Sequence, residues 1–128
     1  FDQVLETSDI ISLHCPLNDS TRNLIDTPEF QRMKRQPLLI NTARGGLVNE
    51  SALAKAIKSG QISGAGFDVT LPEPPPDNHP LIELLEYPNF ILTPHVAWAS
   101  REAIQSLADQ LIDIINAFQK GEPRNVVS

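Results

Sequence analysis

The chain has 128 residues, the length of one domain or of part of one. Its 10 Lys plus Arg residues are outnumbered by 16 Asp plus Glu, and the formal net charge of −6 at pH 7 argues against a nucleic-acid partner, which requires a basic face. The composition is 41% hydrophobic, which is enough for a core. No apolar run approaches the ~20 residues of a membrane span, so we expect no membrane partner.

The N-terminal residues and the number of cysteines indicate the cellular location of the protein. The opening residues FDQVLETSD are acidic and lack the basic region of a signal peptide. A single cysteine, Cys15, excludes a disulfide within the chain, which suits a reducing compartment. We therefore expect a cytoplasmic protein. The absence of an initiator Met indicates that residue 1 is not the natural start.

Four short apolar runs have strand character, and helical patterns separate them. The runs cover residues 9–14, 38–42, 62–69 and 90–94. Strands that alternate with helices predict an α/β fold with a parallel sheet and right-handed crossovers. Such sheets bury both faces, which explains why the strands are almost continuously apolar.

Capping residues place the helices between the strands. Thr27 is predicted to cap a helix that runs through Met33. Asn49 is predicted to cap the next helix, ESALAKAIKS, which Gly60 ends. Residues 81–86 have the pattern of a short helical turn.

The clearest helix covers about residues 100–120. Ser100 is predicted to cap its start, and Gly121 and Pro123 to end it. A broad apolar face at helical spacing supports this prediction. The face consists of Ala103, Ile104, Leu107, Ala108, Leu111, Ile112, Ile114, Ile115 and Phe118.

Polar residues follow each predicted strand, at the edge where open α/β sheets bind their ligands. The four strand ends deliver in turn His14, Cys15 and Pro16; Asn41, Thr42 and Arg44; Asp68 and Glu73; and Thr93, Pro94 and His95. Chance rarely places charged or polar groups at that edge on every strand, so the sequence predicts a binding or catalytic site there.

The charged residues of this set suit the reduction of a 2-keto acid. Arg44, on a turn loosened by two glycines, offers a planar fork that matches a carboxylate. His95 is a natural proton donor near neutral pH, and Glu73 could hold it protonated and oriented. No side chain can supply the hydride, so a cofactor must.

Each of these residues, taken alone, has a simpler interpretation. Arg44 could form a surface ion pair, His95 could be a satisfied half-buried histidine, and Glu73 could be solvated. Cys15 is typical of a small core residue, and His79 is expected to cap a helix or face water. Cysteine and histidine lack the close pairs of a zinc site, so we expect no metal.

The segment PEPPPDNHP (72–80) holds five of the eleven prolines. It could be a simple linker. Because it directly follows a strand end, it could instead be a stiff loop shaped over a site.

These motifs resemble the NAD-binding domain of the D-isomer-specific 2-hydroxyacid dehydrogenases. The turn NTARG (41–45), the stretch GAGFDV (64–69) followed by EPP, and the tripeptide TPH (93–95) match the family in order and spacing. The segment HVAWAS, with Trp98, is most similar to the glycerate dehydrogenase (hydroxypyruvate reductase) branch.

The resemblance implies residue roles. It places the family's catalytic arginine, glutamate and histidine on Arg44, Glu73 and His95, and implies that Asp68 contacts the nicotinamide carboxamide. The implied cofactor is NAD or NADP, and the implied cofactor-binding residues are His14, Cys15, Pro16, Thr21, Thr42, Ala43, Arg44, Asp68, His95 and Ala97.

The sequence also departs from the family, since no G-x-G-x-x-G phosphate loop occurs in its 128 residues. We therefore expect a fragment: a Rossmann-type half of about four β-α units plus a long C-terminal helix. Residues 1–98 would be the C-terminal part of the NAD(P)-binding domain. Residues 99–128 would be a helix and tail that pack on an absent substrate domain.

By resemblance, the whole protein would be an NAD(P)-dependent D-2-hydroxyacid dehydrogenase that acts on a small 2-keto or 2-hydroxy acid of the hydroxypyruvate or glyoxylate type. Such a protein is expected to be a homodimer, whereas the fragment is expected to self-associate and to be inactive. The alternatives are an NAD-binding, corepressor-like relative and an inert remnant, both without turnover.

Overall fold

A computed structural model of the chain describes residues 1–127. Within these residues, four strands form one parallel sheet in the order β1-β2-β3-β4. The strands are β1 (Ile10–Leu13), β2 (Leu38–Asn41), β3 (Gly64–Phe67) and β4 (Phe90–Leu92). Each lies inside one of the predicted runs. The predicted α/β fold with a parallel sheet is confirmed.

Helices alternate with the strands along the chain. They are α1 (Asp2–Thr7), α2 (Thr27–Arg32), α3 (Glu50–Lys58), α4 (Pro80–Glu83), which continues into a 3₁₀ turn (Leu84–Glu86), and α5 (Arg101–Gln119). The sequence did not predict α1, because a helix of 6 residues with a single buried residue, Leu5, is too short to show helical periodicity.

The caps are mostly those that the sequence predicts. The Asn49 side chain accepts a hydrogen bond from the Ala52 N–H at 3.1 Å, and Gly60 ends α3 with a φ of +71°. The prediction for α2 is wrong by one residue. Its N-cap is Asp26, whose Oδ1 accepts from the Thr27 N–H at 2.6 Å, while Thr27 is already helical. Aspartate caps at least as well as threonine.

One face of the sheet is covered by helices. Each strand pairs with the strand that follows it in the chain, and right-handed crossovers between such strands all lie on the same side of the sheet. The helices α1 to α4 therefore form a row on that side, in which each helix contacts the next. The opposite face exposes 63% of Ile10, 42% of Leu38 and 66% of Ile91. The prediction that both faces are buried is therefore wrong for the residues described, since this strand order places the crossovers on a single side.

The chain forms two compact units, the first covering Phe1–His95 and the second starting at Val96. The second unit contains α5, which Ser100 caps by accepting from the Ala103 N–H at 3.1 Å, as predicted. Among the residues described, no helix is long and apolar enough to cross a membrane. The division into domains after residue 98 stays a prediction.

Candidate active site

A cleft of about 390 Å³ opens where β3 and β4 end, and we call it the His95 cleft. It brings together Asp68, Glu73 and His95, which the sequence singled out separately. Two prolines of the proline-rich segment, Pro74 and Pro75, form part of its wall, so this segment lies beside the cleft. The cleft is lined by Asp68, Val69, Thr70, Glu73, Pro74, Pro75, Ile82, Leu92, Thr93, Pro94 and His95.

His95 and Glu73 form a hydrogen-bonded pair at the mouth of this cleft. Nδ1 of His95 lies 2.8 Å from Oε2 of Glu73, and their side chains are 42% and 38% exposed. The hydrogen bond with His95 lowers the pKa of Glu73, and a second one from the Thr70 backbone adds to the effect. An ionised carboxylate only accepts, so the imidazole donates through Nδ1. The pair thus fixes which ring nitrogen carries a proton toward Glu73.

Glu73 is held from its other side by the loop that contains it. Its Oε1 accepts from the Thr70 N–H at 2.9 Å, and the Thr70 hydroxyl donates to the Pro72 carbonyl at 2.8 Å. Both carboxylate oxygens are therefore engaged. The simpler interpretation, a solvated glutamate in a linker, does not describe this geometry.

Asp68 places a carboxylate in the wall of the cleft. The residue is only 2% exposed, and the Thr93 hydroxyl donates to its Oδ1 at 2.5 Å. Its backbone N–H bonds to the Asn41 carbonyl at 3.0 Å, which extends the pairing of β2 with β3 beyond the last strand residues. A buried acceptor in this position suits an amide N–H of a ligand.

Arg44 lies on a turn, residues 42–46, that we call the arginine loop. The Asn41 side chain, 1% exposed, shapes it by donating to the Arg44 carbonyl at 2.9 Å and accepting from the Ala43 N–H at 3.1 Å. The Arg44 side chain is exposed, and its Nη1 donates to the Ala43 carbonyl at 2.6 Å. The loop therefore presents the guanidinium at the surface rather than in the core.

Gly45 explains why the arginine loop is glycine-rich. A Cβ atom on Gly45 would lie 2.1 Å from the carbonyl oxygen of Thr70, a separation that real atoms do not reach. The neighbouring Gly46 has a φ of +81°, in the left-handed region that favours glycine. The arginine loop thus lies directly on the backbone that holds Glu73.

The predicted cofactor-binding residues after β1 form a separate turn. Thr21 closes it, since its hydroxyl donates to the Pro16 carbonyl at 2.7 Å and accepts from the Asn18 N–H at 2.8 Å. His14 is exposed, with Nε2 at 2.8 Å from the Ser12 hydroxyl. Cys15 is partly buried against the core, in agreement with its simpler interpretation.

Two further predicted residues are exposed, Thr42 after β2 and Ala97 in the second unit. Their roles in cofactor binding stay predictions, as do those of the turn after β1. Among the residues described, no group of three or more histidine, cysteine or acidic side chains is placed to hold a metal ion.

Sequence reasoning missed a second histidine–carboxylate contact, between Glu50 and His79. Nε2 of His79 lies 3.0 Å from Oε2 of Glu50, and both side chains are largely buried. The prediction that His79 caps a helix is confirmed, because its Nδ1 accepts from the Leu81 N–H at 3.3 Å. The alternative that it faces water is wrong, since His79 is 5% exposed. The sequence did not single out Glu50, because acidic residues are common in the first turn of a helix.

Comparisons with known proteins agree with this fold and with the resemblance of the motifs. The family model of the D-isomer specific 2-hydroxyacid dehydrogenase, NAD binding domain, matches residues 1–97. A glycerate dehydrogenase from Methylorubrum extorquens is 55% identical over 126 residues, which are 98% of this chain and 40% of that protein. A glyoxylate reductase from Korarchaeum cryptofilum is 43% identical over 128 residues, which are 99% of this chain and 38% of that protein.

A solved structure shows the same arrangement of elements. The NAD-complexed D-isomer specific 2-hydroxyacid dehydrogenase from Lactobacillus delbrueckii ssp. bulgaricus superposes with a TM-score of 0.91 at 36% identity, over 100% of this chain and 42% of that one. The chain thus spans about 40% of the length of the relatives that it matches. Because the family model covers 97 of its 128 residues, the chain belongs to the NAD-binding domain family of the D-isomer specific 2-hydroxyacid dehydrogenases.

Proposed function

We propose that the complete protein carrying this chain is an NAD-dependent D-2-hydroxyacid dehydrogenase that reduces a short 2-keto acid of the hydroxypyruvate or glyoxylate type. The contact of 2.8 Å between His95 and Glu73, beside the arginine loop, is the observation that carries the proposal. Relatives named glycerate dehydrogenase and glyoxylate reductase support the substrate class. The single cysteine favours a cytoplasmic location for this protein.

Arg44 would bind the substrate through its carboxylate. Its guanidinium presents paired N–H donors that match the two oxygens, and an exposed side chain on a short turn can reach a ligand above the sheet edge. The same positive charge would polarise the adjacent keto group. Binding and activation would thus come from one side chain.

His95 would protonate the carbonyl oxygen as the carbon is reduced. A proton donated from Nε2 to the oxygen turns the keto group into an alcohol, and the imidazole is left neutral. Glu73 would hold the ring for this transfer, because its ionised carboxylate accepts from Nδ1 and leaves Nε2 for the substrate. It also keeps the ring in one orientation, which reduces the entropy lost in reaching the transition state.

The residues of the His95 cleft fit a nicotinamide cofactor. A nicotinamide, when bound, supplies the hydride that no side chain can provide. Asp68 would accept a hydrogen bond from its carboxamide, since a buried carboxylate in the cleft wall is an acceptor that an amide N–H requires. Thr93 would keep that carboxylate in place through its hydrogen bond of 2.5 Å.

Turnover of defined substrates tests the proposal. The complete protein should oxidise NADH in the presence of hydroxypyruvate or glyoxylate, and His95→Ala should lower kcat by roughly 10²–10⁴. Parallel assays with NADPH determine the cofactor preference. A protein that binds NADH but reduces neither acid would count against this function and in favour of a nucleotide-sensing role.

A further inference from the structure

The contact between Glu50 and His79 ties the first turn of α3 to the N-terminus of α4. The two side chains are 12% and 6% exposed, and their nearest atoms, Oε2 and Nε2, are 3.0 Å apart. They border a second cleft, of about 320 Å³, whose lining residues differ from those of the His95 cleft. The reaction proposed above uses neither residue.

A single carboxylate holds both ends of the loop that contains Glu73. We call residues 71–79 the glutamate loop. Oε1 of Glu50 accepts from the Leu71 N–H at 3.0 Å, at the start of this loop, and Oε2 lies beside His79, at its end. Nε2 of His79 is also 3.2 Å from the Leu71 carbonyl, so the two ends contact each other as well. Glu50, which lies outside the loop, and His79, its last residue, therefore hold the two ends of the loop together.

The hydrogen bonds assign the proton on His79. Its Nδ1 accepts from the Leu81 N–H at 3.3 Å, so Nδ1 carries no proton. A neutral ring then has its proton on Nε2, where it points at Glu50 and the Leu71 carbonyl. Glu50 must accept hydrogen bonds from the Leu71 N–H and from Nε2 of His79. An ionised carboxylate can do this because it has one oxygen for each donor.

Keeping that carboxylate ionised is unfavourable for the fold by itself. Burial raises the pKa of Glu50, against the lowering by His79 and by the Leu71 N–H, while the charge of Glu73 raises it further. Buried ionised side chains that cost stability in this way are common at functional sites.

A short path of hydrogen bonds connects Glu50 to the His95 cleft. Glu50 fixes the N–H of Leu71, and the preceding residue, Thr70, donates its own N–H to Glu73 at 2.9 Å. The peptide that Glu50 anchors therefore directly follows the residue that holds Glu73. A shift of this peptide would therefore displace the Glu73 carboxylate relative to Nδ1 of His95.

We propose that Glu50 is a positioning residue for the Glu73–His95 pair, acting through the Leu71 backbone and His79. The proposal rests on the function proposed above, because it assigns Glu50 a part in the same reaction. It concerns geometry that exists without substrate, so it is measurable whether or not the protein reduces a keto acid.

Three variants of the complete protein isolate this contact. Glu50→Gln keeps the size of the side chain but leaves one carbonyl oxygen for two donors. His79→Asn keeps an oxygen that can cap α4 at Leu81 but does not reach Glu50. The matched control is Glu83→Gln, which removes the carboxylate charge from the exposed contact of 3.0 Å between Glu83 and Lys58, another link between α3 and α4.

The first measurement is a carboxyl ¹³C NMR titration of Glu73. In the wild-type protein its pKa lies below the ordinary value of about 4.3, chiefly because of the hydrogen bond with His95. His79→Asn should return it toward that value, whereas Glu83→Gln should leave it low. A Glu73 pKa that stays as low in His79→Asn as in the wild type overturns the proposal.

The second measurement is steady-state kinetics. Glu50→Gln and His79→Asn should both lower kcat roughly 10-fold with an unchanged KM for NADH, since a displaced catalytic group slows the reaction without touching the cofactor. Folded variants with wild-type kcat would overturn the proposal. A wild-type protein without turnover, but with the expected titrations, would overturn only the proposed function.

Discussion

The Nδ1 atom of His95 lies 2.8 Å from Oε2 of Glu73, although the two residues are 22 positions apart in the chain. The contact forms at the edge where β3 and β4 end, and the backbone of Thr70 engages the other oxygen of Glu73. The imidazole thus donates to a carboxylate whose position is fixed independently.

Glu73→Gln in the complete protein should lower kcat roughly 10-fold. The amide can still accept from Nδ1 of His95, but without a charge it holds the ring less firmly in the orientation for proton transfer. Steady-state kcat checks this, with Glu83→Gln as the control that removes the charge of an exposed carboxylate beside Lys58. A wild-type kcat in Glu73→Gln would remove Glu73 from the mechanism.

Arg44→Lys should raise KM for the keto acid and lower kcat, with little effect on NADH affinity. Lysine retains the positive charge but loses the planar pair of donors that matches a carboxylate. Initial rates over a matrix of keto acid and NADH concentrations separate the two effects. Collapse of NADH binding would instead assign Arg44 to the cofactor site.

Gly45→Ala should destabilise the chain by roughly 1–3 kcal/mol, the usual cost of overpacking, and should also impair turnover. The added carbon would sit 2.1 Å from the Thr70 carbonyl oxygen, so one loop must move. Urea unfolding and kcat measure the two effects. Gly60→Ala is the matched control, since Gly60 has a φ of +71° and open space around its Cα. It should cost about 1 kcal/mol through backbone strain alone and leave kcat unchanged.

Asp26→Ala should lower stability by about 1 kcal/mol at pH 7, the typical value of an N-cap, and by less in acid. The Asn49 side chain and the Thr27 N–H lower the pKa of Asp26 in the folded chain. A lowered folded-state pKa contributes stability above the unfolded value of about 3.9, and this contribution is lost as the pH falls through the folded value. Urea unfolding at pH 7 and near pH 3 checks the sign. The exposed Asp19, changed to alanine, is the control, and an equal cost at both pH values would contradict the prediction.

The parts of the fold that the sequence predicts are those encoded locally. The strands show as apolar runs, and Asn49 and Ser100 mark helix starts because a cap acts within three residues of itself. The coverage of the sheet was mispredicted, since it depends on the order of the strands. That order places Ile10 and Leu38 on a face that stays exposed. The spacing of apolar residues along the sequence does not reveal the order of the strands.

The candidate site also has a part that the sequence predicts and a part that only the tertiary structure reveals. The strand ends supplied Arg44, Asp68 and His95, because parallel strands deliver their ends to one edge. Glu50 could not be found, since its role depends on a contact with His79, 29 residues later, and on the burial of both. Its position in the first turn of α3 is an ordinary place for an acid, so only the tertiary structure distinguishes it.

The contact at Gly45 joins the arginine loop to the backbone that holds Glu73 without using a side chain from either. The spacing between these parts of the site is therefore a property of two peptide backbones in contact. Side chains that do not hydrogen-bond to either loop can vary without changing that spacing, whereas an insertion or deletion in either loop would change it. Libraries that seek new keto acid substrates should keep Gly45 and both loop lengths fixed, and should diversify the exposed positions beside them.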